Sequence, residues 1–105
     1  MIKVDFFGTS PVLGFNISGH ADYAQQGYDI VCAAVSSAAY MTANTVTDVV
    51  KAQDVKLRVK GGDMYLKLGL PDAHKCRDIM QGFVLHMLSL SEQYKQYITV
   101  TISEV

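Results

Sequence analysis

Five short segments of this chain place an apolar residue at every second position, which is the period of a β-strand with one buried face. Two longer segments repeat apolar residues at helical spacing instead. The resulting order, ββαββαβ, predicts an α+β domain in which two helices pack on a mainly antiparallel five-stranded sheet. The apolar positions of the five predicted strands are Ile2, Val4 and Phe6; Leu13, Phe15 and Ile17; Val55, Leu57 and Val59; Met64, Leu66 and Leu68; and Ile98, Val100 and Ile102.

The first predicted helix runs from Ile30 to about Ala52, with Asp29 before it as the N-cap. The second helix opens at Pro71 and Asp72, where Asp72 is again the expected cap. The predicted inward stripe of the first helix is Val31, Val35, Ala38, Thr42, Thr45, Val46 and Val49, beside a smaller face with Cys32, Ser36, Ala39 and Ala43. The stripe of the second helix is Cys76, Ile79, Met80, Phe83, Val84, Met87 and Leu88.

Length and composition indicate one globular domain over residues 1–105. Half of the residues are apolar and 18% are charged, as in a compact domain. The net charge of −1 provides no overall attraction to nucleic acid or to a membrane surface, so neither partner is expected. No apolar run approaches the roughly 20 residues that cross a bilayer. The N-terminus lacks the apolar core of a signal peptide, and a cytoplasmic location is therefore expected.

The two cysteines receive different interpretations. A disulfide between them is not expected in a reducing cytoplasm. Cys32 is the third residue of the predicted first helix, where unpaired amides stabilise a thiolate and can hold an oxyanion. A lone cysteine is more often a buried, inert side chain, and Cys76 fits that description because it lies in an apolar stripe. Cys32 is the candidate nucleophile.

His20 is the candidate general base for that nucleophile. It lies in a polar stretch, residues 18–28, that is long for a connection in a compact domain. Imidazole is suited to accept a thiol proton near neutral pH, although a solvated loop histidine remains the alternative. Asp29 either orients the imidazole or only caps the helix. Ser36, one turn after Cys32, either lines the pocket or only occupies the helix surface. His74 and His86 are weaker candidates.

Four side chains in the sequence could bind a metal, namely His20, Cys32, His74 and Cys76. Structural zinc sites present close pairs such as Cys-x2-Cys. This chain has no such pair, and Cys76 is needed in the apolar stripe. No metal and no cofactor are expected.

Basic side chains share one face of a predicted strand. Lys56, Arg58 and Lys60 alternate with apolar residues, and Lys67 lies near them across the predicted hairpin. A solvated sheet face explains this pattern. The alternative is a contact surface for RNA or for an acidic partner.

Two stretches of the sequence resemble the signature of the ribosomal-processing cysteine proteases, the Prp family. The chain reads GHA at residues 19–21 and GYDIVCAAVS at residues 27–36. The spacing between the two stretches, the chain length and the ββαββαβ order also agree with the family. The resemblance therefore covers essentially the whole chain.

The resemblance implies an endopeptidase that removes a short N-terminal extension from large-subunit ribosomal protein twenty-seven during ribosome assembly. It implies cleavage after a phenylalanine-containing apolar stretch, and a homodimer. By the same resemblance Cys32 is the nucleophile, His20 the base, Asp29 and Ser36 supporting residues, and Gly19, Ala21 and Gly27 part of a substrate loop. The rival hypothesis is a non-catalytic module that binds in ribosome assembly through its basic strand face.

Overall fold

The computed structural model describes residues 1–19 and 28–104. All five predicted strands are present. The strands are β1 (Ile2–Phe7), β2 (Gly14–Ser18), β3 (Val55–Lys60), β4 (Asp63–Leu68) and β5 (Ile98–Ser103). The described helices are α1 (Tyr28–Asn44), which continues as a π-helical turn (Thr45–Val49), α2 (Leu70–Lys75) and α3 (Arg77–Gln93). The α+β class is confirmed, but the described residues form three α-helices where two were predicted.

The five strands form one mixed sheet in the order β3-β4-β2-β1-β5. The pairs β1–β2, β2–β4 and β3–β4 are antiparallel, as predicted, whereas β1 and β5 are parallel. The parallel pair arises because α2 and α3 form a helical crossover after β4. Such a crossover returns the chain to the end at which β4 began, so β5 runs in the direction of β4 and β1.

The β3–β4 hairpin is closed by a two-residue turn. Lys60 pairs with Asp63, and the two residues between them, Gly61 and Gly62, have φ values of 58° and 90°. A type I′ turn requires positive φ at both central residues, which glycine adopts without a steric penalty. The Gly-Gly pair therefore sets the register of the hairpin.

One face of the sheet packs on the helices to form the core. Phe6 and Phe15 on adjacent strands are fully buried, and both contact the ring of Phe83 from α3. The Phe15 and Phe83 ring centroids are 4.8 Å apart in an edge-on arrangement. Such aromatic pairs stabilise a core beyond their burial alone, so they anchor α3 to the centre of the sheet.

The inward face of α1 differs from the predicted stripe at its C-terminal end. Val49, predicted to face the core, is 74% exposed, while Ala39 and Ala43 are buried. The π-helical turn has a wider hydrogen-bonding pattern, which turns Val49 away from the core relative to α-helical spacing. Ala39 and Ala43 precede this turn and are buried because the buried face of α1 is wider than the predicted stripe. The helix ends just before Lys51, which has a positive φ of 60°.

The second predicted helix is broken in two at Cys76. Its backbone (φ −97°, ψ 14°) leaves the helical region between α2 and α3, and its amide donates to the carbonyl of Asp72. The N-cap of α2 is Gly69, so the prediction that Asp72 caps the helix is wrong. Leu88, predicted to lie in the stripe, is 38% exposed. Cys76 itself is buried, as predicted.

Asp72 instead stabilises the turn that precedes β3. Its side chain is buried, and its Oδ2 accepts hydrogen bonds from the backbone amides of Asp54 (2.7 Å) and Gln53 (3.2 Å). Two amides that would otherwise lack a partner are thereby satisfied. This carboxylate joins the start of α2 to the start of the hairpin.

Within the described residues, the helical segment Asp29–Val49 is long and apolar enough to cross a membrane by length and composition. From the sequence, no such segment is expected. A third of the apolar window is buried inside the domain, where its inward face packs on the sheet, and core helices also meet this criterion.

We predict that Asp72→Ala lowers the free energy of unfolding by roughly 1–3 kcal/mol, because two backbone amides of the turn lose a part-buried acceptor. Asp72→Asn keeps one acceptor oxygen and should lose less. Urea denaturation measures both effects. Asp78→Ala is the control, since its fully exposed side chain makes only a loose 3.9 Å pair with Arg77 and its removal should change stability much less than Asp72→Ala does. Equal stability of Asp72→Ala and Asp78→Ala would contradict this role.

Candidate active site

Cys32 lies in the second turn of α1, later than predicted. The helix begins at Tyr28, so Cys32 is its fifth residue, and the four amides without a partner inside the helix all precede it. Asp29 lies in the first turn, not before the helix, and its Oδ1 accepts a hydrogen bond from the Ile30 amide at 3.0 Å. The thiol therefore lies about one turn away from the positive end of the helix.

Packing of α1 holds the Cys32 side chain at the margin of the core. Val31 and Val35 are fully buried, and Cys32 is half-buried and packs against the same cluster. Ser36 follows one turn later on the same flank and is also half-buried. The backbone at Cys32 is therefore rigidly held, while its sulfur lies at the boundary between core and surface.

The flank of α1 that carries Cys32 points away from α3. On the other flank, Ala34, Ala38 and Met41 line a groove against α3. At about 100° per residue, Cys32 and Ser36 lie on the opposite side of the helix. Since α3 packs on β5 at one edge of the sheet, this flank of α1 faces the other edge, formed by β4 and β3.

At that edge, two apolar side chains are left partly uncovered. Leu57 and Val59 of β3 are 39% and 44% exposed, although their partners on β4, Leu66 and Met64, are buried. All four residues lie on the helix-covered face of the sheet. We call Leu57 and Val59 the apolar ledge. Their exposure results from the position of β3 at the sheet edge, beyond the cover of α1.

The N-terminal part of α1 lies toward the end of β3 that holds Val59. Only residues 50–54 separate the π-helical turn from β3, so helix and strand run in opposite directions. The 18 residues from Cys32 to Val50 span about 27 Å of helix, which reaches past the roughly 20 Å length of β3. Cys32 and the apolar ledge therefore lie on the same side of the molecule.

Gly19 fixes the chain immediately before the candidate base. Its φ is +90°, and an added Cβ would lie 2.2 Å from the carbonyl oxygen of Met1. No other residue fits this position, which gives a structural reason for the glycine of the GHA motif. His20, Ala21 and Gly27 lie outside the described residues, so the Cys32–His20 pair and the substrate loop stay predictions.

Cys76 has the properties of an inert core thiol. Its side chain is 1% exposed, and burial raises its pKa, with a further increase from the negative charge of Asp72. A raised pKa leaves less thiolate near neutral pH. Cys32 and Cys76 are both present as thiols.

The other candidate ligands are dispersed. His74 and His86 are exposed, and His86 lines the groove between α1 and α3. In the part of the chain that the structure describes, no three His, Cys, Asp or Glu side chains cluster as a metal would require.

A two-layer α+β domain with a thiol at the edge of a core helix defines a candidate thiol-dependent enzyme. Comparison with known proteins identifies the family to which such an enzyme belongs. The family model described as cysteine protease Prp matches residues 1–99. The chain belongs to this family.

Individual relatives agree with that assignment. The chain is similar to the ribosomal processing cysteine protease Prp of Bacillus subtilis, with 26% identity over 86% of this chain and 85% of that protein. The Staphylococcus aureus protein of the same name is 24% identical over 78% of each chain. Two crystal structures of the S. aureus protease, one with a substrate peptide and one with a covalently linked product peptide, match 98% of this chain and all of theirs. Their TM-scores are 0.85 and 0.82, at 20% and 22% identity, so these matches support the fold.

We predict that iodoacetamide labels Cys32 faster than Cys76 at neutral pH, because alkylation requires an accessible thiolate. Labelling at Cys76 should increase as the pH rises toward the raised pKa of this thiol. Mass spectrometry of the tryptic peptides measures both rates. Faster labelling of Cys76 in the native protein would show that Cys32 is the inert thiol.

Proposed function

We propose that this chain is a cysteine endopeptidase in which Cys32 is the nucleophile and His20 the general base. The observation that carries the proposal is the position of Cys32, which is half-buried at the margin of the core on a helix whose neighbouring residues Val31 and Val35 are fully buried. Membership in the cysteine protease Prp family supports the reaction class.

In the proposed reaction, His20 removes the proton from Cys32 and the thiolate attacks the scissile carbonyl carbon. The resulting oxyanion is held by backbone amides at the start of α1. His20 then donates the proton to the leaving amine, and a thioester remains on Cys32. Water, activated by His20, hydrolyses this thioester and restores the thiol. No cofactor enters the reaction.

The supporting residues have distinct proposed roles. The Asp29 carboxylate is bonded to the Ile30 amide, which fits a residue that orders the first turn and tunes Cys32 rather than an orienter of the imidazole. The negative charge of Asp29 disfavours the thiolate form of Cys32, while the ordered N-terminal end of the helix favours it. Ser36 lies one turn after Cys32 on the same flank, which supports a role in contacting the peptide next to the nucleophile.

The proposed substrate is the N-terminal extension of a large-subunit ribosomal protein, number twenty-seven in the usual series. The names of the relatives refer to ribosomal processing, and a related crystal structure contains a substrate peptide. We propose that the apolar, phenylalanine-containing stretch of the extension packs on Leu57 and Val59. These two side chains are partly exposed on the same side of the molecule as Cys32, and burying an apolar side chain against them is favourable.

The proposed setting is a homodimer in the bacterial cytoplasm. Both properties follow from the family resemblance and the composition. The alternative function, a binding module without catalysis, needs no accessible thiol, so the reactivity of Cys32 separates the two.

Incubation with the extended ribosomal protein, followed by mass measurement of the products, tests the proposal. Wild type should release the extension, whereas Cys32→Ala and Cys32→Ser should not, with melting temperatures close to wild type. His20→Ala should be slower by roughly 10²–10⁴-fold, as is usual when a general base is removed. Cleavage by Cys32→Ala at the wild-type rate would exclude this mechanism.

A double substitution tests the apolar ledge. Leu57→Ser/Val59→Ser should raise KM for the extended substrate at least about tenfold, because two apolar contacts are lost. Its effect on kcat should be smaller. Val49→Ser is the control, since this 74% exposed residue lies at the far end of the helix and should leave KM unchanged. An unchanged KM in the double variant would place the apolar residues of the substrate elsewhere.

A further inference from the structure

The face of the sheet opposite the helices concentrates positive charge. This open face consists of the outward residues of all five strands. It carries five of the nine basic residues and only two of the ten acidic ones, a net charge of +3. The remainder of the chain therefore carries −4. The basic residues of the open face are Lys3, Lys56, Arg58, Lys60 and Lys67.

Two of these lysines are directly opposite each other. Lys56 on β3 pairs with Lys67 on β4, and both are exposed. Like charges opposite one another destabilise a pair of strands. Ion pairs at Arg77–Asp78 and Lys95–Glu92 lie on the helical side of the molecule. An anion bound over the two lysines would remove this repulsion.

Planar side chains lie beside the basic residues. The rings of Phe7 and Tyr65 are 6.0 Å apart, and the guanidinium of Arg58 lies 4.7 Å from the centre of the Tyr65 ring. A shallow cavity of about 200 Å³ is lined by Phe7, Tyr65, Leu13 and Lys67. Aromatic rings and guanidinium groups are the surfaces on which unpaired bases stack.

The geometry points to a single-stranded polynucleotide as the ligand of this open face. Phosphate groups would pair with Lys56 and Lys67, while a base occupies the cavity at Phe7 and Tyr65. An acidic protein would use the lysines but not the planar groups, which is why a nucleic acid fits better. The net charge of −1 for the whole chain does not reveal this site, because folding gathers the basic residues on the open face and leaves most acidic residues elsewhere.

The site is independent of the proposed peptidase. Its residues belong to the open face, whereas Cys32 and the apolar ledge lie on the helix-covered face. Loss of one activity therefore does not predict loss of the other, and the two proposals fail separately.

Fluorescence anisotropy with labelled twelve-nucleotide oligo(U) and oligo(dT) tests the proposal. Wild type should bind at 50 mM salt and bind much more weakly at 200 mM, as phosphate contacts require. Lys56→Ala/Lys67→Ala should weaken binding at least about tenfold and lower the salt slope by about 2. Tyr65→Leu should weaken binding about fivefold or more, through loss of stacking. Equal binding of both oligonucleotides identifies phosphates and bases as the ligand, and preference for oligo(U) identifies RNA.

Lys75→Ala/Lys95→Ala is the matched control, because it removes the same charge from exposed positions outside the sheet. It should retain wild-type binding. Peptide cleavage by Lys56→Ala/Lys67→Ala should also be unchanged, which confirms that the variant is folded. The proposal is overturned if neither oligonucleotide binds at 50 mM salt, if the control pair weakens binding equally, or if poly-glutamate binds the same face as tightly as oligo(U).

Discussion

Val31 and Val35 of α1 are fully buried in the core, and Cys32 lies between them in the sequence. Because these valines cannot move without opening the core, the backbone at Cys32, the proposed nucleophile, has little freedom. Further along α1, the small side chains of Ala39 and Ala43 are also buried, whereas the sulfur of Cys32 lies at the margin of the core. Burial of one helix face thus determines where a thiol is accessible and which sheet edge it faces.

The same two-layer arrangement explains how the two faces of the sheet differ. Helices cover one face, and the sheet extends beyond them at β3, which leaves Leu57 and Val59 exposed near the candidate site. The other face has no described helix on it and collects the basic side chains. An edge strand such as β3 thereby presents an apolar surface on one side and a cationic surface on the other.

Sequence periodicity predicted all five strands, because the alternation of apolar and polar residues along a strand is a local property. It did not predict the parallel β1–β5 pair, which depends on the path of the helical crossover. Nor did it predict the carboxylate of Asp72 on amides 18 and 19 residues away. The exposure of the apolar ledge also depends on strand order. The sequence identified Cys32 as the candidate nucleophile, although it is the fifth residue of the helix and not the third as predicted. The predicted pairing with His20 lies outside the described residues.

The central claim is that Cys32 forms the covalent bond to the substrate. Acid quenching of the reaction with the extended ribosomal protein, followed by mass mapping of peptides, tests it most directly, since acid preserves a thioester. The account predicts that the N-terminal product is attached to the peptide that contains Cys32 and that this species disappears as hydrolysis proceeds. Cleavage without any adduct on Cys32, or with the adduct on Cys76, would contradict it.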